Sequence, residues 1–338
     1  MTFKSKNINI QNSILFSYLM IILGLCLIPY ISEIHMFRQS QIAITTEYFN
    51  FNNNIFYPQI PVFGNDNTYA GFEFPFIQYF TYLITSVIPV NQIIFLKLIS
   101  FFSFIGISII LYNLLEDNKY KKQLILFYLA NPIHIVFVPT INIEYYSIFT
   151  SLLAFFVISK YQKSYLLILF ISVIAALSKI IIFLCFSIPL LLLIFKEDRK
   201  NYKKLIFLFI TFLISLIFFY LWKEWMDVLM NSGFYSSIFS SNPTWMLGTI
   251  KDRTSIENII ELIIKLLIFV SPLTVFFLLK KSCKNLFITL FLIFMFGPFV
   301  FIQLHLTHDY YYIYTPVLLI LYLISLDKKP YNNNNILR

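Results

Sequence analysis

The sequence predicts an all-α chain, a polytopic membrane helical bundle of about ten transmembrane helices. Two compositional facts and one pattern predict it. Hydrophobic residues make up 59% of the 338 and charged residues only 12%, with a mean hydropathy of +0.78. Apolar blocks of about 17–22 residues, the length that crosses a hydrocarbon core of ~30 Å as a helix, recur between short clusters of Lys, Asn, Asp and Glu. Lipid offers no hydrogen-bond partner to an open strand, so such blocks satisfy their backbone only as helices.

In chain order, the first block, residues 12–31, follows Lys4 and Lys6 but precedes no small-residue cleavage site, so it reads as a retained helix rather than a signal peptide. A long polar stretch, 32–93, separates it from the second block at 94–115. The next, 123–139 and 144–159, flank "PTINIE". Blocks at 165–178 and 180–195 are divided by the single Lys179 of "AALSKI". The seventh, 205–221, follows the basic run "KEDRKNYKK", and the last three are 259–279, 286–303 and 309–325. No internal repeat is visible and the terminal "NNNN" is a short polar tail, so residues 1–338 are expected to form a single domain.

Charge orients this arrangement. With a cytoplasmic N-terminus, the cytoplasmic loops and tails collect 18 of the 25 Lys and Arg residues, and the external side keeps seven bases and eleven acids. That asymmetry matches the positive-inside rule and places the chain in the plasma (inner) membrane, multi-pass, with both termini cytoplasmic. The net charge of +9 is spread over six loops and tails rather than gathered in a stripe, so no nucleic acid is expected as a partner. Cys26, Cys185 and Cys283 lie in or beside apolar blocks without metal spacing and read as packing residues.

Two external loops are long enough to hold a site. Residues 32–93 carry "RQSQIAITTEYF" and "FPFIQYFTYLITSVI", whose alternating polar and apolar positions suit helices lying along an interface. Residues 222–258 form the second, rich in Trp and Tyr.

Four places carry a family resemblance. An acid ends the first block and is followed by "H..RQ", here Glu33, His35, Arg38 and Gln39, with "YP" at Tyr57 and Pro58. "EFP" spans Glu73 to Pro75. A lone Lys179 sits between two apolar blocks, and "HDYYYIYTP" runs from His308 to Pro316. In order and spacing these resemble the GT-C glycosyltransferases, particularly the bacterial branch related to protein mannosyltransferases and aminoarabinose transferases (glycosyltransferase family 39-like). The chain departs from many relatives in having Glu at the first acidic position and no added soluble domain.

The resemblance implies a single GT-C-like transmembrane domain over 1–338. It implies an inverting enzyme moving a hexosyl or pentosyl unit from a polyprenyl-phosphate-linked sugar donor to a glycan, lipid or protein acceptor of the envelope. Transfer from a lipid phosphate needs a base for the acceptor hydroxyl and donors for the departing phosphate. Glu33, just past an apolar block, is the expected general base, against the alternative of a solvated loop acid. Glu73 is the second catalytic acid or, equally, a charge favouring the helix that begins at Pro75. Arg38, Lys179, His35 and Gln39 are expected on the substrate, with Arg38 and Lys179 on its phosphate. For Lys179 the alternative is a snorkelling helix-end lysine. His308, Tyr310 and Tyr311 read as phosphate donors or sugar-stacking rings, or as an aromatic belt.

His35, His305 and His308 show no short metal spacing, so no obligate metal or other cofactor is expected. His134 reads as a core histidine and Glu144 as a cavity-facing acid outside the main site. The rival functions are a flippase or transporter of lipid-linked sugars, which would place its polar groups at the bilayer midplane on paired repeats, and an O-antigen polymerase or ligase. Membrane lipid is a partner under every one of these readings.

Overall fold

The computed structural model describes residues 2–51, 53–60, 69, 73–115, 120–160, 164–197, 202–231, 247–270 and 296–327. Helices account for nearly all of them. α1 runs Thr2–Cys26, α2 Met36–Tyr48, α3 Phe76–Val87, α4 Gln92–Leu114, α5 Lys121–Leu129, α6 Pro132–Phe137, α7 Ile143–Lys160 and α8 Tyr165–Ser178. α9 covers Ile180–Glu197, α10 Tyr202–Asn231, α11 Ile250–Thr254, α12 Ile256–Val270, α13 Phe296–Val300 and α14 Ile302–Thr307. A 3-10 turn at Asp309–Tyr312 leads into α15, Thr315–Asp327. Among the described residues the sole extended pairing is an isolated bridge between Gln59 and Tyr69.

α7 lies at the centre, packed between α4 and α8, with α9 on a further side and α10 laid along α8. The main core joins Phe104, Tyr128, Tyr145 and Phe186 to the first turns of α15, where Val317 to Ile320 are fully enclosed. A smaller apolar cluster of Ile42, Ile77, Leu96, Ile141 and Ile143 seats α2 and α3 against α4 and the start of α7.

The breaks between helices have local causes. Pro132 lacks an N–H and drives its predecessor out of the helical region. Asn131 accordingly sits extended, and its Oδ1 accepts from the amide of Ile133 at 3.1 Å, which caps α6. Asn91 caps α4 in the same way, accepting from Ile93 and Ile94. Lys179 is extended (φ −163, ψ 92) and divides α8 from α9.

These breaks correct the expected ten-span membrane bundle. Among the described residues, two helices are long and apolar enough to cross a membrane, Gln92–Leu114 of 23 residues and Tyr202–Leu229 of 28. The block at 123–139 is split at Asn131 into α5 and α6. α8 has 14 residues, which at 1.5 Å per residue is about 21 Å, well short of a ~30 Å core. α15, with 13 residues, is shorter still. Residues 271–279 and 286–295 of two further expected spans lie outside the described residues, and the rest of 286–303 is divided at Phe301 into α13 and α14. The polytopic fold class, the GT-C-like architecture and the multi-pass plasma-membrane placement with both termini cytoplasmic rested on those ten crossings. They do not stand on two.

Candidate functional site

Four charged residues distant in sequence meet at one point: Arg38 in the first turn of α2, Glu73 before α3, Glu144 in the first turn of α7, and Lys179 at the α8–α9 break. Arg38 Nη2 pairs with Glu73 Oε2, and Lys179 Nζ pairs with Glu73 Oε1. Lys179 Nζ also stands 3.3 Å from Glu144 Oε1. These side chains keep only 5–17% of their surface exposed. Buried charges are tolerated when they are paired and hydrogen-bonded, and two cations here face two carboxylates.

The backbone around the cluster is tied down on each side. Asn142 Oδ1 accepts from the amide of Glu144 at 3.0 Å, starting α7 with its acid turned into the site. Ser147 Oγ donates to the carbonyls of Ala175 and Lys179 at 3.2 and 3.4 Å, holding the α8–α9 break against α7. The amide of Phe74 donates to the carbonyl of Leu177 at 3.0 Å, which draws the segment carrying Glu73 alongside the one carrying Lys179.

Burial pushes the Glu73 carboxyl up, but Arg38 and then Lys179 overcome it and hold it down at about 2. Burial pulls the Lys179 ammonium down, and Glu73 outweighs it, so its affinity for its proton is raised. Glu73 is therefore held in its charged form by Arg38 and Lys179, and Lys179 in its charged form by Glu73.

An aromatic shelf adjoins it. Lys179 Nζ lies 5.5 Å from the ring centre of Tyr311, and Tyr311 packs on Tyr310 at 4.6 Å. His308 stacks on Tyr310 at 5.3 Å, and His35 meets Tyr310 edge-on at 4.7 Å. Burial lowers both imidazoles, that of His308 to about 4. His35 also has a left-handed backbone (φ 51, ψ 38) at the start of α2, a conformation uncommon outside Gly but one that His, like Asn and Asp, adopts more often than other residues.

The structure thus gathers Arg38, Glu73 and Lys179 into one cluster and places His35, His308, Tyr310 and Tyr311 beside it. Gln39 serves the surrounding loops. Its Nε2 donates to the Ile34 carbonyl at 2.6 Å, and its Oε1 accepts from the Ile141 amide at 3.0 Å. Glu33 is exposed on the bend before α2, and among the described contacts its carboxylate takes no part in the cluster. Glu144 is the member that the main sequence reading left aside. The available signal was the same one that marked Lys179, a single charge at the edge of an apolar run. Among the described residues no group of three or more His, Cys, Asp and Glu side chains is placed to hold a metal ion.

A second feature shares a wall with the cluster. An open cavity of about 480 Å³ is lined by Tyr57, Phe74, Leu177, Phe218, Trp222 and Trp225, among others. Phe74 follows Glu73, and Leu177 lies two residues before Lys179. Trp222 packs edge-on against Phe74 at 4.7 Å, and Trp225 Nε1 donates to the Phe56 carbonyl at 2.8 Å, which ties the aromatic wall to the segment before α3. A volume of this size with apolar walls falls in the range of small-molecule sites.

No family model matches the chain, and neither a curated protein nor a solved structure does. The resemblance to GT-C glycosyltransferases therefore finds no counterpart, and the helices lack the architecture that it implies. The glycosyl-transfer activity expected from it is withdrawn, together with the flippase and polymerase or ligase alternatives that presupposed the same bundle.

Proposed function

We propose that this chain is a binding protein for an acidic amphiphile, whose apolar body occupies the aromatic cavity and whose anionic head engages Arg38 and Lys179. The observation that carries the reading is the shared wall: residues 73–74 and 177–179 present charge on one side and aromatic surface on the other. Long-chain phosphates and carboxylates have this chemistry. So do polyprenyl-phosphate-linked sugars, expected as a partner from the sequence, and the acidic members of the membrane lipids also expected there.

Arg38 offers a planar fork of donors and Lys179 a point charge with three. Glu73 engages both cations, so it acts as an internal competitor for them. An incoming acid that takes over donors held by Glu73 frees that carboxylate from the cations that keep it ionised, and the buried carboxyl takes up a proton, so the cluster stays balanced. Neutral heads leave the ion pairs as they are.

Two of the three tryptophans in the chain, Trp222 and Trp225, line the cavity, so indole emission reports its occupancy. Titration with dodecyl phosphate is expected to shift that emission saturably, and dodecanol to bind at least tenfold more weakly. Lys179→Met should abolish the difference between the two. Equal binding of phosphate and alcohol by the wild type would remove the head-group part of the reading. No saturable change with either would remove the cavity as a site.

A further inference from the structure

The outward face of α10 carries a second, independent message. Thr211, Ser215, Trp222, Met226 and Leu229 are its buried residues and turn it towards α8. About 200° around the helix, at 100° per residue, runs a different stripe: Ile206, Ile210, Leu213, Ile217 and Tyr220, all 42–57% exposed. Their spacing of four, three, four and three residues is that of a helix-pairing seam. Phe209 and Leu221 widen it. Seven half-exposed large side chains, at roughly 100 Å² each, come to about 700 Å² on one subunit, within the range that a stable dimer buries per partner.

The ends of the stripe name the occupant. Lys203 and Glu224, both exposed, continue the same three-and-four spacing at its two ends. They lie 21 positions apart, which is about 31 Å along the helix. A parallel pair of such helices would set lysine against lysine and glutamate against glutamate. An antiparallel pair sets Lys203 against Glu224 of the partner subunit at both ends. It also brings Ile210 against Ile217 of the partner subunit and leaves Leu213 next to the two-fold axis.

We infer that the exposed stripe of α10 is the interface of an antiparallel, two-fold symmetric dimer of this chain. Such an interface is self-complementary and closes on itself, so it gives a dimer and not a filament. Leu221 also lines the aromatic cavity, so pairing narrows the cavity mouth without reaching the ion cluster.

The test uses the purified full-length chain with single cysteines on this exposed face and a short thiol-specific crosslinker, with the unsubstituted chain as control. Leu213→Cys should crosslink to itself. Lys203→Cys should not, yet a mixture of Lys203→Cys and Glu224→Cys should give the crosslinked pair. In sedimentation over a hundredfold concentration range, Lys203→Glu should weaken the dimer at least tenfold, and adding Glu224→Lys in the same chain should restore it. Self-crosslinking of Lys203→Cys as efficient as that of Leu213→Cys would mean parallel pairing and overturn the inference. A chain that stays monomeric and uncrosslinked at Leu213→Cys, its stripe covered by detergent, lipid or a different protein, would overturn it as well.

Discussion

The ion cluster around Lys179 and the imidazole of His134 are both cut off from water, yet the first is kept charged and the second neutral. Around Lys179, Glu73 pairs with both cations, and Glu144 stands within ion-pair reach of Lys179 without a hydrogen bond to its Oε1. His134 is fully buried between Phe104 and Tyr128, and Nδ1 meets the Tyr145 hydroxyl at 2.8 Å. Burial, unopposed by any neighbouring charge, brings its pKa down to about 3. The difference lies in the partners. A buried ionisable group keeps its charge where opposite charge stands within reach and otherwise gives it up. Under the proposed function the cluster is where an external anion exchanges for an internal one, whereas the imidazole is a packing element.

The largest effects should come from unbalancing the cluster. Lys179→Met leaves Glu73 and Glu144 with Arg38 alone, and breaking a buried pair by removing one partner costs about 3–5 kcal/mol. Urea unfolding measures it. Glu73→Gln leaves two buried cations facing one carboxylate, so a comparable loss is expected. Under the proposed function that second loss has a remedy that the first lacks: dodecyl phosphate should restore stability to Glu73→Gln more than it adds to the wild type, and add nothing to Lys179→Met. A cluster that is only scaffolding would show no such asymmetry.

Acid separates the two regions by pH. His134, His305 and His308 have folded-state pKa values lowered to about 3, 4 and 4 by burial. The unfolded chain therefore takes up their protons first. The stability they confer is complete above about 6.5 and is lost as pH falls from there toward the folded values. Glu73 is also lowered, to about 2, so its contribution is present above its unfolded value of 4.5 and is lost as pH falls from 4.5 toward 2. Unfolding free energy followed from pH 7 to pH 5 thus reads the imidazoles, and below pH 4.5 Glu73 joins them. His134→Gln, which keeps a hydrogen-bonding group near Tyr145, should flatten the upper part by up to about 1.4 kcal/mol per pH unit. An unchanged slope there would mean that His134 is not held neutral by burial.

Parts of this were legible in the sequence and parts could not be. Lys179 stands out as one charge in an apolar run, and Arg38 and Glu73 as charges in a long polar loop. Glu144 shows the same signal as Lys179 but competes with two tyrosines and a plausible cap. Glu33 looks prominent because it directly follows an apolar block, and exposure is not written in that pattern. Apolar blocks mark where helices lie. Whether each is long enough to cross a bilayer turns on breaks such as Lys179, which carries no proline or glycine of its own. The breaks at Asn131–Pro132 and just after Gly297–Pro298 have a local signature. Burial is equally hidden: α4 and α10 are both apolar, yet half of the first helix's apolar window is buried and only 22% of the second's.

A cap tests whether such local signatures carry weight. Asn131→Ala removes the acceptor for the Ile133 amide, and loss of a cap of this kind costs about 1 kcal/mol. Its site lies one turn from His134, so the same variant should also ease solvent entry to the imidazole and raise its pKa, observable by proton NMR. A stability loss with an unmoved imidazole would show that the break and the buried histidine are separate features.

The smallest effect sharpens the comparison most. Lys223 and Asp227 form an ion pair one turn apart on α10, close enough to match any pair in the cluster, but their side chains keep 41% and 33% of their surface in water. Exposed pairs of this spacing contribute about 0.3–0.5 kcal/mol and are screened by salt. Lys223→Met should therefore change stability by no more than that, and 1 M salt should erase the difference from the wild type while leaving the loss in Lys179→Met largely in place. Contact between opposite charges is common to both sites, so a large effect of Lys223→Met would assign the energetics to pairing itself. A small, salt-sensitive one assigns them to the removal of water around Lys179, the same condition that would let the cluster discriminate an acidic head group from a neutral one.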